Sequence, residues 1–191
     1  MQTREVLLLL TDRFADWEAA YAAAGINLVP QYTVKTIAVT NEPKVSMGGL
    51  RTEIDFIIGD YHNLENLAML ILPGGFAWHE GRHDEIADFV RKVREAHIPV
   101  AAICGATIFL GKHGFLDKIT HTGDDPELFR KEDGYGGENR YISAQIAVDD
   151  GFITANETAA VDFAHAIFGL LKIRSDEDID AWRNYFKNGM A

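Results

Sequence analysis

The chain has 191 residues, 47% of them hydrophobic and 25% charged, which suits one soluble domain with a sizeable core. With 29 acidic and 18 basic residues the formal net charge is −11, which argues against nucleic acid or an anionic membrane surface as a main partner. The only cysteine, Cys104, excludes an internal disulfide, so the fold makes no demand for an oxidising compartment.

The N-terminal apolar run is confined to Val6–Leu10 and lacks a small-residue cleavage site, so it reads as a buried strand rather than a signal peptide. No apolar run is long enough to span a bilayer, and the expected setting is cytoplasmic. Residues 5–11, "EVLLLLT", are continuously apolar, as strands covered on both faces of a parallel sheet are. "DRFADWEAAYAAAGIN" predicts an Ala-rich helix with acidic first turns and Gly25 near its end. "YTVKTIAVT" predicts a second strand, and residues 44–58 a small hairpin or excursion around Gly48-Gly49.

"LAMLILPGG" predicts another buried strand closed by Gly74-Gly75. "HDEIADFVRKVREAH" is an amphipathic helix with Ile86, Phe89, Val90 and Val93 on one stripe. Pro99 opens the strand "VAAIC", which runs into the helix "GATIFLGKHG". Residues 123–140 read as a long polar loop with room for a short helix. Asp150-Gly151 signals a hairpin, "TAAVDFAHAIFGLLK" a core-facing helix, and Ser175 a capping-box start to the last helix. Residues 1–174 therefore read as one α/β domain with a mainly parallel sheet and helices on both faces. Residues 175–191 read as an amphipathic helix whose Ile179, Trp182 and Phe186 pack on that domain or on a second subunit.

In such sheets, sites form beyond the C-terminal strand ends. Three ends carry chemistry: the first runs toward Asp16 and Glu18, another into "PGGFAWHEGRH", and another into Cys104. A strand passing directly into a helix makes a sharp turn, and a nucleophile there stands exposed and strained. Ala102, Gly105 and Ala106 supply the small neighbours that the bend needs. The following helix's N-terminus would favour thiolate, and its free N–H groups, with those of Gly74 and Gly75, could hold an oxyanion. A buried small hydrophobe is the ordinary alternative for a free cysteine, and the strand–Cys–helix context outweighs it.

"LAMLILPGG", "IPVAAICGAT" and "DDGFITANETAAVDFAHAIFGLL", in this order and spacing, resemble the ThiJ/PfpI superfamily over most of the chain. That superfamily has the class I glutamine-amidotransferase-like fold. The resemblance implies a flavodoxin-like α/β sandwich with a nucleophile elbow, in a homodimer. It maps the reactive cysteine to Cys104, its carboxylate partner to Glu18, and the oxyanion groups to Gly74, Gly75 and Gly105. Read on its own, Glu18 would be an exposed first-turn acid supporting its helix; the pairing with a thiol makes most sense with Glu18 protonated. Peptidase-like members carry His directly after the cysteine, and here that position is Gly105. "ITANETAA" offers no late His-x-Glu, which argues against glutamine amidotransferase activity.

His121 is a candidate base, with Asp124 and Asp125 nearby to orient an imidazole; a surface-loop histidine is the even alternative. Phe76, Trp78 and His79 are candidate pocket-lining residues. His79 and His83 could suggest a metal, but Gly81 and Arg82 intervene and a lid or helix-entry loop is favoured; residues 124–138 lack EF-hand spacing. No metal or cofactor is expected. The expected partner is a small-molecule carbonyl electrophile, in glyoxalase- or deglycase-like stress protection. The rivals are a non-enzymatic cysteine-oxidation sensor or chaperone, a peptidase or amidase that Gly105 disfavours, and a degenerate regulatory domain.

Overall fold

The computed structural model describes residues 3–81 and 83–189. Strand β1 (Arg4–Leu9), helix α1 (Asp16–Asn27) and strand β2 (Tyr32–Ala38) form the opening unit. A small antiparallel pair, β3 (Lys44–Val45) and β4 (Arg51–Thr52), stands apart from the sheet, and β5 (Phe56–Ile57) joins its edge. β6 (Leu67–Leu72), α2 (Asp84–Glu95), β7 (Val100–Ile103) and α3 (Gly105–Lys112) follow. The polar stretch holds the short helix α4 (Pro126–Arg130), with Asp125 as its cap. The chain closes with β8 (Ile146–Asp149), β9 (Phe152–Ala155), α5 (Ala160–Leu171) and α6 (Asp176–Asn188).

Seven strands form one sheet in the order β5-β2-β1-β6-β7-β9-β8, parallel except for the edge strand β8. The Asp150-Gly151 turn between β8 and β9 has φ of 42° and 74°, the backbone a two-residue hairpin requires.

Alternation along the central strands feeds two cores. Leu7, Leu9, Leu70, Leu72, Val100 and Ala102 pack under α2 and α3. Val6, Met69, Ile71, Ala101 and Ile103 pack under α1 and α5. Both faces are covered, which is why these strands read as unbroken apolar runs. Gly25 lets α1 approach α5 closely, since a Cβ there would stand 2.2 Å from the Phe168 ring.

Helix α6 packs on α5 of its own chain, with Ile179 buried and the Trp182 ring 4.8 Å from that of Phe168. Arg183 and Lys187 both pair with the buried Asp162 of α5. The Ser175 hydroxyl accepts from the Asp178 N–H, the cap expected from the sequence. Among the described residues no helix is long and apolar enough to cross a membrane.

Candidate active site

Cys104 is the single residue between β7 and α3, and its φ of 57° and ψ of −134° lie where non-glycine residues rarely go. Its conformation is fixed from both sides. The Cys104 N–H donates to the Ala155 carbonyl of β9, and the Cys104 carbonyl accepts from the N–H and hydroxyl of Thr107. The thiol is half-buried at the strand ends.

Among the described charged residues Glu18 is buried most completely, at 0% exposure. Its position in the second half of the first turn of α1 points it inward, under the end of β6. Glu18 Oε2 accepts a 2.6 Å hydrogen bond from the Gly74 N–H. The ordinary reading of Glu18 as an exposed helix-starting acid is thereby overturned. The Gly74 site is also tight: a Cβ there would lie 2.6 Å from Glu18 Oε2 and 2.9 Å from Cys104 Sγ. Gly74 is therefore what allows thiol and carboxyl to share one space.

This use of the Gly74 N–H corrects its expected oxyanion role, because the donor already serves Glu18. Gly75 and Gly105 remain as candidate oxyanion donors. The Gly105 N–H faces the sulfur. Gly75 has φ of 144° and bridges Phe14, which sets the β6 end against the loop before α1.

The electrostatics also differ from the sequence expectation. Burial is the main cause pushing the Cys104 thiol well above its ordinary range. The Glu18 and Asp124 charges add to it, the thiol donates to Asp124, and the Gly105 N–H opposes only in part. The α3 N-terminus is thus outweighed, and the resting group is a thiol rather than a thiolate. Burial likewise raises Glu18 to about 7, against the opposing Gly74 N–H and thiol contacts; Asp124 and Glu157 raise it further. Near neutrality Glu18 carries a proton about half the time.

His121 does not act on the sulfur in this arrangement. It is fully buried, with Nδ1 on the Ile119 carbonyl at 2.9 Å and Nε2 on the Tyr135 hydroxyl at 2.7 Å. Phe129, Tyr135 and Tyr141 surround its ring. Both nitrogens are engaged, and burial lowers its pKa, so it is a neutral hydrogen-bonding element of a small aromatic core. Trp78 is not an open pocket wall either: it is fully buried, donates to the Pro73 carbonyl and packs on Phe109. Phe76 and His79 are exposed on the same 3-10 turn, and His79 Nε2 lies 3.2 Å from where a Cβ of Gly105 would be. His83 instead binds the Ala77 carbonyl and holds that turn against α2.

The residues that sequence reasoning missed as thiol neighbours are Asp124 and Glu157. Their carboxylate oxygens and Cys104 Sγ all lie within 4.8 Å of one another. Asp124 also accepts from the Glu157 N–H at 2.7 Å, joining two loops 33 residues apart. Glu157 follows β9, the strand next to β7, so the strand-end rule pointed to it. Asp124 has no such signal, because its loop reaches the site only through the fold.

A family model for the DJ-1/PfpI family matches residues 4–169. The chain belongs to the DJ-1/PfpI family. It is 33% identical over 180 residues to the "Uncharacterized protease YdeA" of Bacillus subtilis, spanning 93% of this chain and 88% of that protein. It is 30% identical over 190 residues to the "Uncharacterized protease YoaZ" of the same organism, spanning 95% and 90%. Among solved structures, the thiJ/pfpI family protein from Bacillus anthracis superposes with a TM-score of 0.91 at 30% identity, covering 100% of this chain and 93% of that one. The family match ends before α6 (Asp176–Asn188).

Proposed function

We propose that this DJ-1/PfpI family protein uses Cys104 to attack small carbonyl electrophiles, in the manner of a glyoxalase or deglycase, as a stress-protective activity. The observation that carries this reading is the placement of a strained elbow thiol between two carboxyl groups, Glu18 and Asp124. The groups acting on the sulfur are carboxyls and a backbone N–H, which suits proton shuttling at an aldehyde.

Asp124 takes the thiol proton as sulfur attacks the carbonyl carbon. A carbon–sulfur bond forms and the carbonyl π bond opens. The oxygen that gains the electron pair is held by the backbone N–H groups of Gly75 and Gly105. Protonated Glu18 then supplies the proton that completes the hemithioacetal, and Asp124 retains the one it took. The elevated thiol pKa requires such a base, since little free thiolate stands ready at neutral pH. The test is turnover of methylglyoxal by the wild type and by Cys104→Ser. Loss of turnover in the variant supports the reading, and equal turnover sinks it.

A second reading, a cysteine-oxidation sensor, is favoured by one observation: the buried Glu18 carboxyl beside the sulfur could donate to a sulfinate oxygen. A stable gain of two oxygens on Cys104 after mild peroxide, without carbonyl turnover, supports the sensor instead. Peptidase activity, suggested by the names of the Bacillus relatives, is disfavoured by Gly105 and by the engaged nitrogens of His121. A homodimer with a small-molecule partner belongs to the same proposal, and sedimentation velocity reads it.

A further inference from the structure

We propose that His79 is the proton carrier of the Cys104 site, moving a hydrogen from the aldehyde carbon to the adjacent carbonyl carbon of a bound α-oxoaldehyde. The inference rests on the carbonyl reading above and adds to it the residue that completes turnover.

His79 borders the space beside the elbow. Its Nε2 lies 3.2 Å from where a Cβ of Gly105 would be, and the Gly75 carbonyl lies 3.0 Å from the same point. Gly75 and Gly105 are the two residues whose N–H groups are assigned to the carbonyl oxygen, so the imidazole stands next to that pair, on the solvent side. His79 is not among the groups acting on the resting sulfur, which leaves its nitrogens for the bound carbon skeleton rather than the thiol. Among the described residues neither of its ring nitrogens makes a hydrogen bond, whereas His83, His121 and His165 are each engaged.

The turn that carries His79 is fixed from several directions. Lys112 of α3, itself buried, donates to the Trp78 carbonyl at 3.1 Å and to the Gly81 carbonyl at 2.8 Å. His83 takes the Ala77 carbonyl at 2.8 Å, and Trp78 is anchored on Pro73 and Phe109. A buried ammonium is a costly way to hold a mere connection. It ties the backbone on both sides of His79 to the helix that begins at Cys104, which is how a reacting group is held in register with a nucleophile.

Attack by Cys104 leaves the former aldehyde carbon bearing hydrogen, hydroxyl and sulfur, next to a ketone. His79 takes the C–H proton as that bond's electron pair forms a carbon–carbon double bond, and Asp124 gives the thiol proton to the ketone oxygen. Protonated His79 then delivers its proton to the former ketone carbon. The first carbon's hydroxyl returns a proton to Asp124, and a thioester remains. Water adds to it and gives a proton to Glu18; the carbon–sulfur bond breaks, and Asp124 reprotonates the sulfur. The first carbon is oxidised and the second reduced, so a 2-hydroxy acid forms with water as the co-reactant.

The test supplies methylglyoxal, labelled with 13C at the aldehyde carbon, to wild type, Cys104→Ser, His79→Gln and His79→Ala. Lactate and the Cys104 hemithioacetal are followed by NMR. The expected result is a Cys104-bound adduct in both His79 variants, with lactate forming at least about a hundredfold more slowly than in wild type. Added imidazole restores part of the rate in His79→Ala, which a structural role would not allow. His79 is exposed, so both variants should keep the fold, checked by circular dichroism. Wild-type rates in either variant, loss of the adduct together with lactate, no rescue by imidazole, or a wild-type adduct that yields no lactate overturns the proposal and leaves attack by Cys104 standing. Neither adduct nor lactate in the wild type overturns the carbonyl reading itself, and this inference with it.

Discussion

Glu18 and Gly74, 56 residues apart, meet in a 2.6 Å hydrogen bond that aims a buried carboxyl at the Cys104 sulfur. The bond links the start of α1 to the end of β6, and it sets the protonation chemistry of the whole elbow.

Glu18 makes stability depend on pH in a direction opposite to that of a salt-bridged acid. Its pKa is about 7 folded against 4.5 as the ordinary value, so between these pH values the native state holds the proton more tightly. Stability from this group is therefore full below about 4.5 and falls as pH rises toward 7, then levels. Glu18→Gln removes the slope. The variant should match the wild type at the acidic end and exceed it at pH 8 by as much as about 3 kcal/mol. Urea unfolding across this range checks it, and parallel curves for the two proteins would exclude the buried-carboxyl assignment.

Cys104 should alkylate slowly at neutral pH and faster as pH rises beyond the ordinary thiol range, because burial and two carboxylates disfavour thiolate. Asp124→Asn removes one of those charges. It should speed iodoacetamide labelling several-fold at pH 8, read by intact mass. Slower labelling in the variant would overturn this charge effect and leave the proton-accepting role that Asp124 has in the proposed carbonyl attack as the dominant one.

Gly74→Ala should cost more than Gly105→Ala. A methyl at Gly74 meets Cys104 Cβ and Glu18 Oε2 at 2.6 Å, and neither can leave without breaking the site. At Gly105 the nearest atoms are the Gly75 carbonyl at 3.0 Å and His79 Nε2 at 3.2 Å, and the exposed histidine can give way. The expected loss is about 1–3 kcal/mol for Gly74→Ala and less for Gly105→Ala. Thermal melts of the two variants decide the order.

His121→Phe should behave as a core mutation. It strands the Tyr135 hydroxyl and the Ile119 carbonyl, at a cost of about 1–3 kcal/mol, while Cys104 labelling and carbonyl turnover persist in the folded fraction. A folded His121→Phe without turnover would return His121 to the list of bases.

Much of the fold was legible in the chain because it rests on local patterns. The unbroken apolar strands, the α2 stripe, the Asp150-Gly151 turn, the Ser175 cap and the small residues around Cys104 each state their element without reference to anything distant. Cys104 itself was readable from the same local logic, since a bend needs small neighbours wherever it occurs. The electrostatic character of the site was not. Glu18 looks like any acid in a first turn until β6 closes over it, and the α3 N-terminus looks activating until burial and Asp124 are counted. His121 looks like a loop base until Phe129, Tyr135 and Tyr141 enclose it. The sequence by itself determined where Cys104 stands and on what scaffold. Only the tertiary structure decided which charges surround it, because Coulomb and desolvation energies depend on distance and depth in space, and neither is written in separation along the chain.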